Sequence, residues 1–426
     1  MAANKQKGSG TFETQPLGDI ESARSRHMWT RSSVHATGSL VIAGEWDGTV
    51  TAFDRDTLEA QWSVDHPEHA VGLETLGDSL VVAGRGETGT IASYDLETGE
   101  REWSYDTRED VGEASRESIF YLPYVVGLES GSVGNDEGAV ADQTEPALYA
   151  AARRYERDGE HREWYSTVYA FDADGTVRWR YETDASPISI DLDDAGERLA
   201  VGYNRCMGVH DNGLVVLETD TGSPSWTWDP GTEGDRRVGD VSFDGDRIAV
   251  SSHGDKRGYL LGPGGAELWR VDLATETEID GETLYAYPNH AHANDGRVAF
   301  VTGNTYAIES RETENRHPNE HRIAAFDADG NSLWDANVGG FIHGLEAVGE
   351  TMVAPCAQNF RVREPDTHGV RCFSLDDGEQ SLEQFEGIAT AATLQEGIIG
   401  AIEEPVEYHD EDRTRGEYAL RVGSLE

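Results

Sequence analysis

The segment Ser93-Tyr94-Asp95-Leu96-Glu97-Thr98-Gly99-Glu100-Arg101-Glu102-Trp103 recurs, with decay, along the whole chain. It returns as Ala52-Phe53-Asp54-Arg55-Asp56-Thr57 leading to Trp62, and as Ala170-Phe171-Asp172-Ala173-Asp174-Gly175 leading to Trp179; further copies end at Trp226, Trp269 and Trp334. Each follows a short apolar run such as Leu40-Val41-Ile42-Ala43-Gly44, Leu80-Val81-Val82-Ala83-Gly84 or Ile248-Ala249-Val250. Runs this short, rich in β-branched residues and bounded by Gly and Asp, suit buried strands rather than helices. A second alternating strand comes next, at residues 49–53, 90–94 and 167–171 for example. An Asp-Gly turn then reverses the chain, because Gly accepts positive φ and Asp bonds its own backbone. The Trp-bearing strand closes the sheet.

Short strands repeating at roughly forty to fifty residues read as a propeller, one four-stranded sheet per repeat. Candidate first strands begin near Val34, Val71, Val126, Ile188, Val241, His292, His343 and Ala391. The expectation is therefore one all-β domain over residues 22–426, an eight-bladed propeller with seven blades as the alternative. The last repeat has no Trp strand, so a strand from the N-terminus should complete it and close the ring. Arg26-His27-Met28-Trp29 is the segment with the look of that missing piece. Residues 1–21 are expected to be a disordered arm.

The Asp-x-x-Thr-Gly-x-x-x-Trp pattern resembles the PQQ-type, quinoprotein-like propeller repeat, from about Met28 to Val422, although only the second repeat is near complete. The resemblance implies that Trp62, Trp103, Trp179, Trp226, Trp269 and Trp334 dock each blade on its neighbour. In the quinone-dependent dehydrogenases of that family the cofactor PQQ sits against two adjacent cysteines with Ca²⁺ at its carboxylates. The cysteines here are Cys206, Cys356 and Cys372, none adjacent, and no run of Ca²⁺ ligands is visible. PQQ and Ca²⁺ are therefore not expected, and no other metal or cofactor is indicated.

Composition limits the partners. Asp and Glu number 81 against 34 Lys and Arg, a net charge of −47, and only Lys5, Lys7 and Lys256 are lysines. Nucleic acids and anionic membranes call for basic stripes, so neither is an expected partner. An acidic, Lys-poor chain resembles proteins of organisms that hold molar salt in their cytoplasm, where counterions screen its self-repulsion. No apolar leader or membrane span is read in the sequence, which points to the cytoplasm and a monomeric ring.

Loop lengths indicate a functional face. One face should carry short turns such as Leu76-Gly77-Asp78; the other should carry long links at residues 106–124, 153–165, 204–212, 275–292, 304–322 and 358–368. Long loops on a rigid scaffold are where function concentrates. His35, His69, His292 and His343 fall near the entrances of first strands, with Glu74, Glu129 and Glu346 placed to ring the channel. Tyr285, Tyr287, Arg361 and Arg363 add the aromatic and guanidinium groups typical of interfaces. Everything specific in the chain is architectural. The expected function is thus a non-catalytic scaffold that binds an unidentified protein or peptide through its long-loop face. The alternative is an enzyme, or a small-ligand or metal-binding propeller, using His and Glu at the channel mouth. Charge this dense predicts a salt requirement: the thermal midpoint should fall as KCl is lowered from molar to dilute. A midpoint flat across that range would overturn the halophilic reading.

Overall fold

The computed structural model describes residues 12–131, 147–310, 313–362, 365–409 and 413–424. Among these, the chain is all β apart from the four-residue helical turn Arg108–Val111 and two short 3-10 turns. Ser33–Ala36, Leu40–Gly44, Thr49–Asp54 and Ala60–Asp65 pair side by side in chain order, each antiparallel to the next. The same four-stranded arrangement repeats from His69–Leu76 to Arg101–Asp106, from Tyr124–Ser130 to Val177–Thr183, and from Ala185–Leu192 to Pro224–Trp228. It continues from Val238–Asp244 to Glu267–Asp272, from Glu282–Asn294 to Ser332–Asn337, and from Glu346–Val348 to Gly378–Glu383. Each sheet buries small and β-branched residues against the next, as Val81, Ala83 and Ile91 do against Leu148, Ala150 and Tyr169.

The last sheet mixes the two ends of the chain. Ile388–Gln395, Ile398–Glu404 and Ala419–Ser424 carry Glu13–Pro16 on their outer edge, with Glu13 opposite Val422. The expected donor of that strand was residues 26–29, and residues 1–21 were expected to be disordered; both expectations are corrected for residues 13–16. The reason lies in packing: Phe12 meets the Phe385 ring edge-on at 6.0 Å and lies over Gly423, whose missing side chain leaves it room. Residues 22–32 instead cross one face. Ala23–Arg24 runs parallel to Val406–Glu407, and the Arg31 guanidinium forms a buried ion pair with Glu404. Ser32 and Thr390 also donate to Glu404, at 3.0 and 2.9 Å, so its charge is fully partnered.

Two further expectations change. Residues 153–165 are a continued hairpin, since Ala147–Asp158 and His161–Asp172 pair along their whole length with Tyr155 opposite Trp164. Residues 275–292 hold the hairpin of Thr277–Ile279 with Glu282–Asn294. In both, alternation of aromatic and charged residues extends the pleat beyond the apolar core that marks a strand in sequence.

The Trp residues join the sheets by one repeated contact. Trp62 donates its indole N–H to the Leu96 carbonyl at 2.9 Å, and a Cβ on Gly99 would fall 2.9 Å from the Trp62 ring. Trp103 does the same with Ala173 and Gly175, Trp179 with Thr219 and Gly222, Trp269 with Ala328 and Gly330, and Trp334 with Leu375 and Gly378. Trp226 packs on Gly265. Each glycine has positive φ, so the turn residue that reverses one sheet is also the seat for the ring of the sheet before it. The inner strands are laced as well: Ser33 donates to the Ala70 carbonyl, Asp191 accepts from the Phe243 N–H, Asp240 from Ala291 and Thr393 from Ala36.

Replacing Trp179 by Ala should cost about 3–5 kcal/mol, the usual loss for a packed aromatic. Trp179→Phe should keep most of the packing and lose about 1 kcal/mol with the hydrogen bond. Urea titration followed by circular dichroism checks the order Ala worse than Phe worse than native.

Candidate functional site

The inner strands surround a cavity of about 710 Å³. Strand register divides its wall into two ends of opposite charge. Tyr124, at the start of its strand, pairs with Arg85 and Arg153, whereas Glu129, five residues on, lies opposite Tyr149. The arginines therefore sit toward the long-loop face and the carboxylates toward the short-turn face.

At the acidic end, Glu129 and Glu346 line the cavity, with Glu74 and Asp191 on adjoining strands, while Asp240 lines it nearer the loop-face start of its own strand. Burial lifts Glu74 to about 7, against the pull of a 2.9 Å hydrogen bond from Ser130. Asp191 rises to about 7 through burial, although it accepts the Phe243 N–H. Burial, and then the Glu74 charge, lifts Glu346 to about 7. Glu129 is raised well above the ordinary range by burial first, and then by Asp191, Glu74, Glu346 and Asp240. Glu346 is nonetheless open to solvent. Protein encircles it while water reaches it, so hydration in the cavity moderates the rise that encirclement alone would give.

The loop-face end is cationic and aromatic. Arg85 lies over the Tyr124 ring at 4.6 Å, and Arg153 lies between Tyr124 and Trp164 at 5.4 and 5.2 Å. Arg236 covers Tyr287 at 4.4 Å, beside Arg205 and Lys256. Tyr285, Tyr287 and Tyr306 pack on one another with centroids 5.4–5.8 Å apart. Met28 and Phe120 line the cavity here and are 42% and 53% exposed, so the mouth presents apolar surface as well as charge. Among the described residues Arg85, Arg153, Arg205 and Arg236 have no carboxylate at ion-pair distance. Their hydrogen bonds go to neutral acceptors: Ile119 and Pro187 carbonyls, Ser186 and Asn204. Elsewhere arginines such as Arg178, Arg198, Arg247 and Arg322 each hold an Asp. Burial draws Arg153 down to about 10, with the Arg85 charge adding to the effect.

The residues singled out in the sequence separate. Glu129, His343, Glu346 and Tyr287 reach the cavity, and Tyr285 lines a neighbouring one of about 420 Å³. His69 stacks flat on Trp46 and bonds its carbonyl. His292 bonds the Gly349 carbonyl at 2.7 Å, and burial lowers His35 to about 4. None of these three lines the cavity. Burial takes His343 to about 3, helped by His27, His290 and Arg31, so it is neutral at pH 7. Arg361 serves the scaffold, donating to Glu320 at 2.6 Å and to the Thr313 carbonyl. Arg363 lies outside the described residues. Arg85, Tyr124 and Arg236 were not singled out; the one available signal was Arg85 ending an apolar run, where a cation is out of place.

The three cysteines are free and buried, and no group of three or more His, Cys, Asp or Glu among the described residues could hold a metal ion.

A carboxyl raised by folding binds its proton more tightly folded than unfolded. It therefore favours the fold below about pH 4 and loses that advantage as pH rises toward 7. Glu129→Gln should leave stability unchanged near pH 4 and raise the thermal midpoint at pH 8 relative to native protein. Melting curves across that range check it, and a difference constant with pH would remove the electrostatic explanation.

Comparison with known proteins places this geometry. The family model described as outer membrane protein assembly factor BamB matches residues 2–131 and 46–318. No curated protein matches the sequence. Among solved structures, BamB from Moraxella catarrhalis aligns at a TM-score of 0.53 and 13% identity, over 97% of this chain and 100% of that one. Sqt1 from Saccharomyces cerevisiae aligns at 0.57 and 13% identity, over 95% and 98%. Quinohemoprotein alcohol dehydrogenase from Comamonas testosteroni aligns at 0.57 and 11% identity, over 98% of this chain and 77% of that one. At such identities these likenesses concern the fold, a β-propeller. The match across most of the sequence is the stronger finding, and by it the chain belongs to the PQQ-like repeat family described as outer membrane protein assembly factor BamB.

Proposed function

We propose that this protein is a non-catalytic propeller scaffold that holds a protein or peptide partner at the loop-face mouth of its channel. In this reading eight blades form the ring, closed where Glu13–Pro16 pairs with Ala419–Ser424. The observation that carries it is the group of four arginines set among aromatic rings with no carboxylate at ion-pair distance among the described residues, in a chain with 81 acidic residues. Leaving guanidinium groups unpaired where carboxylates are abundant costs stability unless something else uses them. Arg and Tyr are also the side chains that anchor partner proteins. Membership in a family described as an assembly factor supports a role exercised on other polypeptides. We further propose a salt-rich cytoplasm as the setting, supported by the net charge of −47 and three buried free thiols.

Photo-crosslinking tests the reading. A benzoylphenylalanine at Phe120 should join a discrete partner in native extract held at molar KCl, and the same group at Asp78, on the short-turn face, should not. Equal adducts at both positions, or none at Phe120, would move the site elsewhere.

A further inference from the structure

A second cavity, of about 340 Å³, opens beside the channel mouth and shares Arg85, Tyr124 and Arg153 with it. Its remaining wall includes Tyr155, Trp164 and Arg157, and among the described residues no Asp or Glu lines it. The rings make a continuous apolar wall: Tyr121 lies 5.4 Å from Tyr155, which lies 4.7 Å from Trp164. The donors on this wall outnumber their acceptors. Arg85 spends its Nε and Nη2 on the Ile119 carbonyl, and Arg153 spends Nη1 on Ser186 and Pro187. That leaves Nη1 of Arg85, and Nε and Nη2 of Arg153, without a protein acceptor. Among the described residues the buried Trp164 Nε1–H has no acceptor.

Donors without a protein acceptor on two adjacent guanidiniums suit an acceptor-only, negatively charged group, and a carboxylate matches the guanidinium fork. The rings ask for something apolar attached to it. An Asp or Glu side chain brings its carboxylate on a slim polar stem and leaves the rings bare. A chain terminus brings the carboxylate on the same Cα that carries the last side chain, so one residue fills both halves. Resting on the scaffold reading above, we propose that the Arg85–Arg153 cleft captures the C-terminal residue of a partner polypeptide. The free carboxylate lies on the guanidiniums and an apolar or aromatic side chain lies among Tyr124, Tyr155 and Trp164. Internal segments of acidic polypeptides lack this pairing, which gives the site selectivity in a solution full of carboxylates.

The test uses the full chain in molar KCl and a fluorescein-labelled Gly-Gly-Ser-Ala-Phe peptide with a free C-terminal carboxylate, measured by anisotropy. The same peptide as its C-terminal amide should bind at least about tenfold more weakly, since it loses the charge-assisted bonds. Arg153→Gln should weaken the acid peptide by about as much while leaving the amide peptide unaffected. Trp164→Phe, a substitution that keeps the packing, should weaken the acid by roughly threefold. Equal binding of acid and amide, or no binding of either by folded protein, would overturn the proposal. N-acetylphenylalanine binding as tightly as the peptide would overturn the polypeptide as occupant in favour of small free carboxylates. Crosslinking at Phe120 that persists while the terminus is ignored would sink this inference and leave the scaffold reading standing.

Discussion

Everything in this molecule depends on an indole ring seated on a glycine. A four-stranded sheet of this size cannot hide its faces alone, and each needs a neighbour at a fixed angle. The contact from Trp103 to Gly175 and the Ala173 carbonyl fixes that angle with one directional bond and one steric seat. The glycine is required twice over: its φ of +81° is the turn's own demand, and any side chain there would strike the ring. Such double use explains why Asp, Thr, Gly and Trp persist together while the residues between them drift.

The six Trp seats end where the two chain ends meet, and a different chemistry takes over. Leu58 holds the turn position of the missing glycine in the first sheet with φ of +53°, and packs with Leu17 and Ile20. Two fully buried carboxylates on one strand, Glu403 and Glu404, face Arg421 and Arg31, which come from different parts of the chain. A buried pair gains little over apolar packing, yet losing one partner is costly, which makes it a device for register rather than for strength. This mixed sheet needs register most, because no covalent turn aligns Glu13–Pro16 with its neighbour.

The architecture was legible in the sequence because it repeats: apolar runs, Asp-Gly turns and Trp strands restate the same geometry many times. Glu13–Pro16 was not, since one short polar strand with Phe12 beside it carries no repeat signal. The candidate site was half legible. Glu129, Glu346 and His343 could be placed because inner strands have a predictable start. His69 and His292 were misread as lining residues because sequence gives a residue's level in the channel but not its direction, and both bond backbone carbonyls instead. Arg361 was misread for a related reason: whether an arginine is spent on a nearby Glu320 is decided by tertiary contact.

Arginine pairing is the feature that sequence could not supply and that gives the channel its polarity. With more than two acidic residues for each basic one, chance alone would place a carboxylate beside most arginines, and Arg257 and Arg421 each have two. Among the described residues no acid lines the cleft at Arg85 and Arg153, although Glu233 and Asp235 flank Arg205 and Arg236, while the far end of the same channel gathers Glu74, Glu129, Asp191 and Glu346. An anionic group entering from the loop face meets cations first and carboxylates beyond them. Electrostatics alone therefore places an anion more favourably at the guanidinium end of the channel than at its carboxylate end.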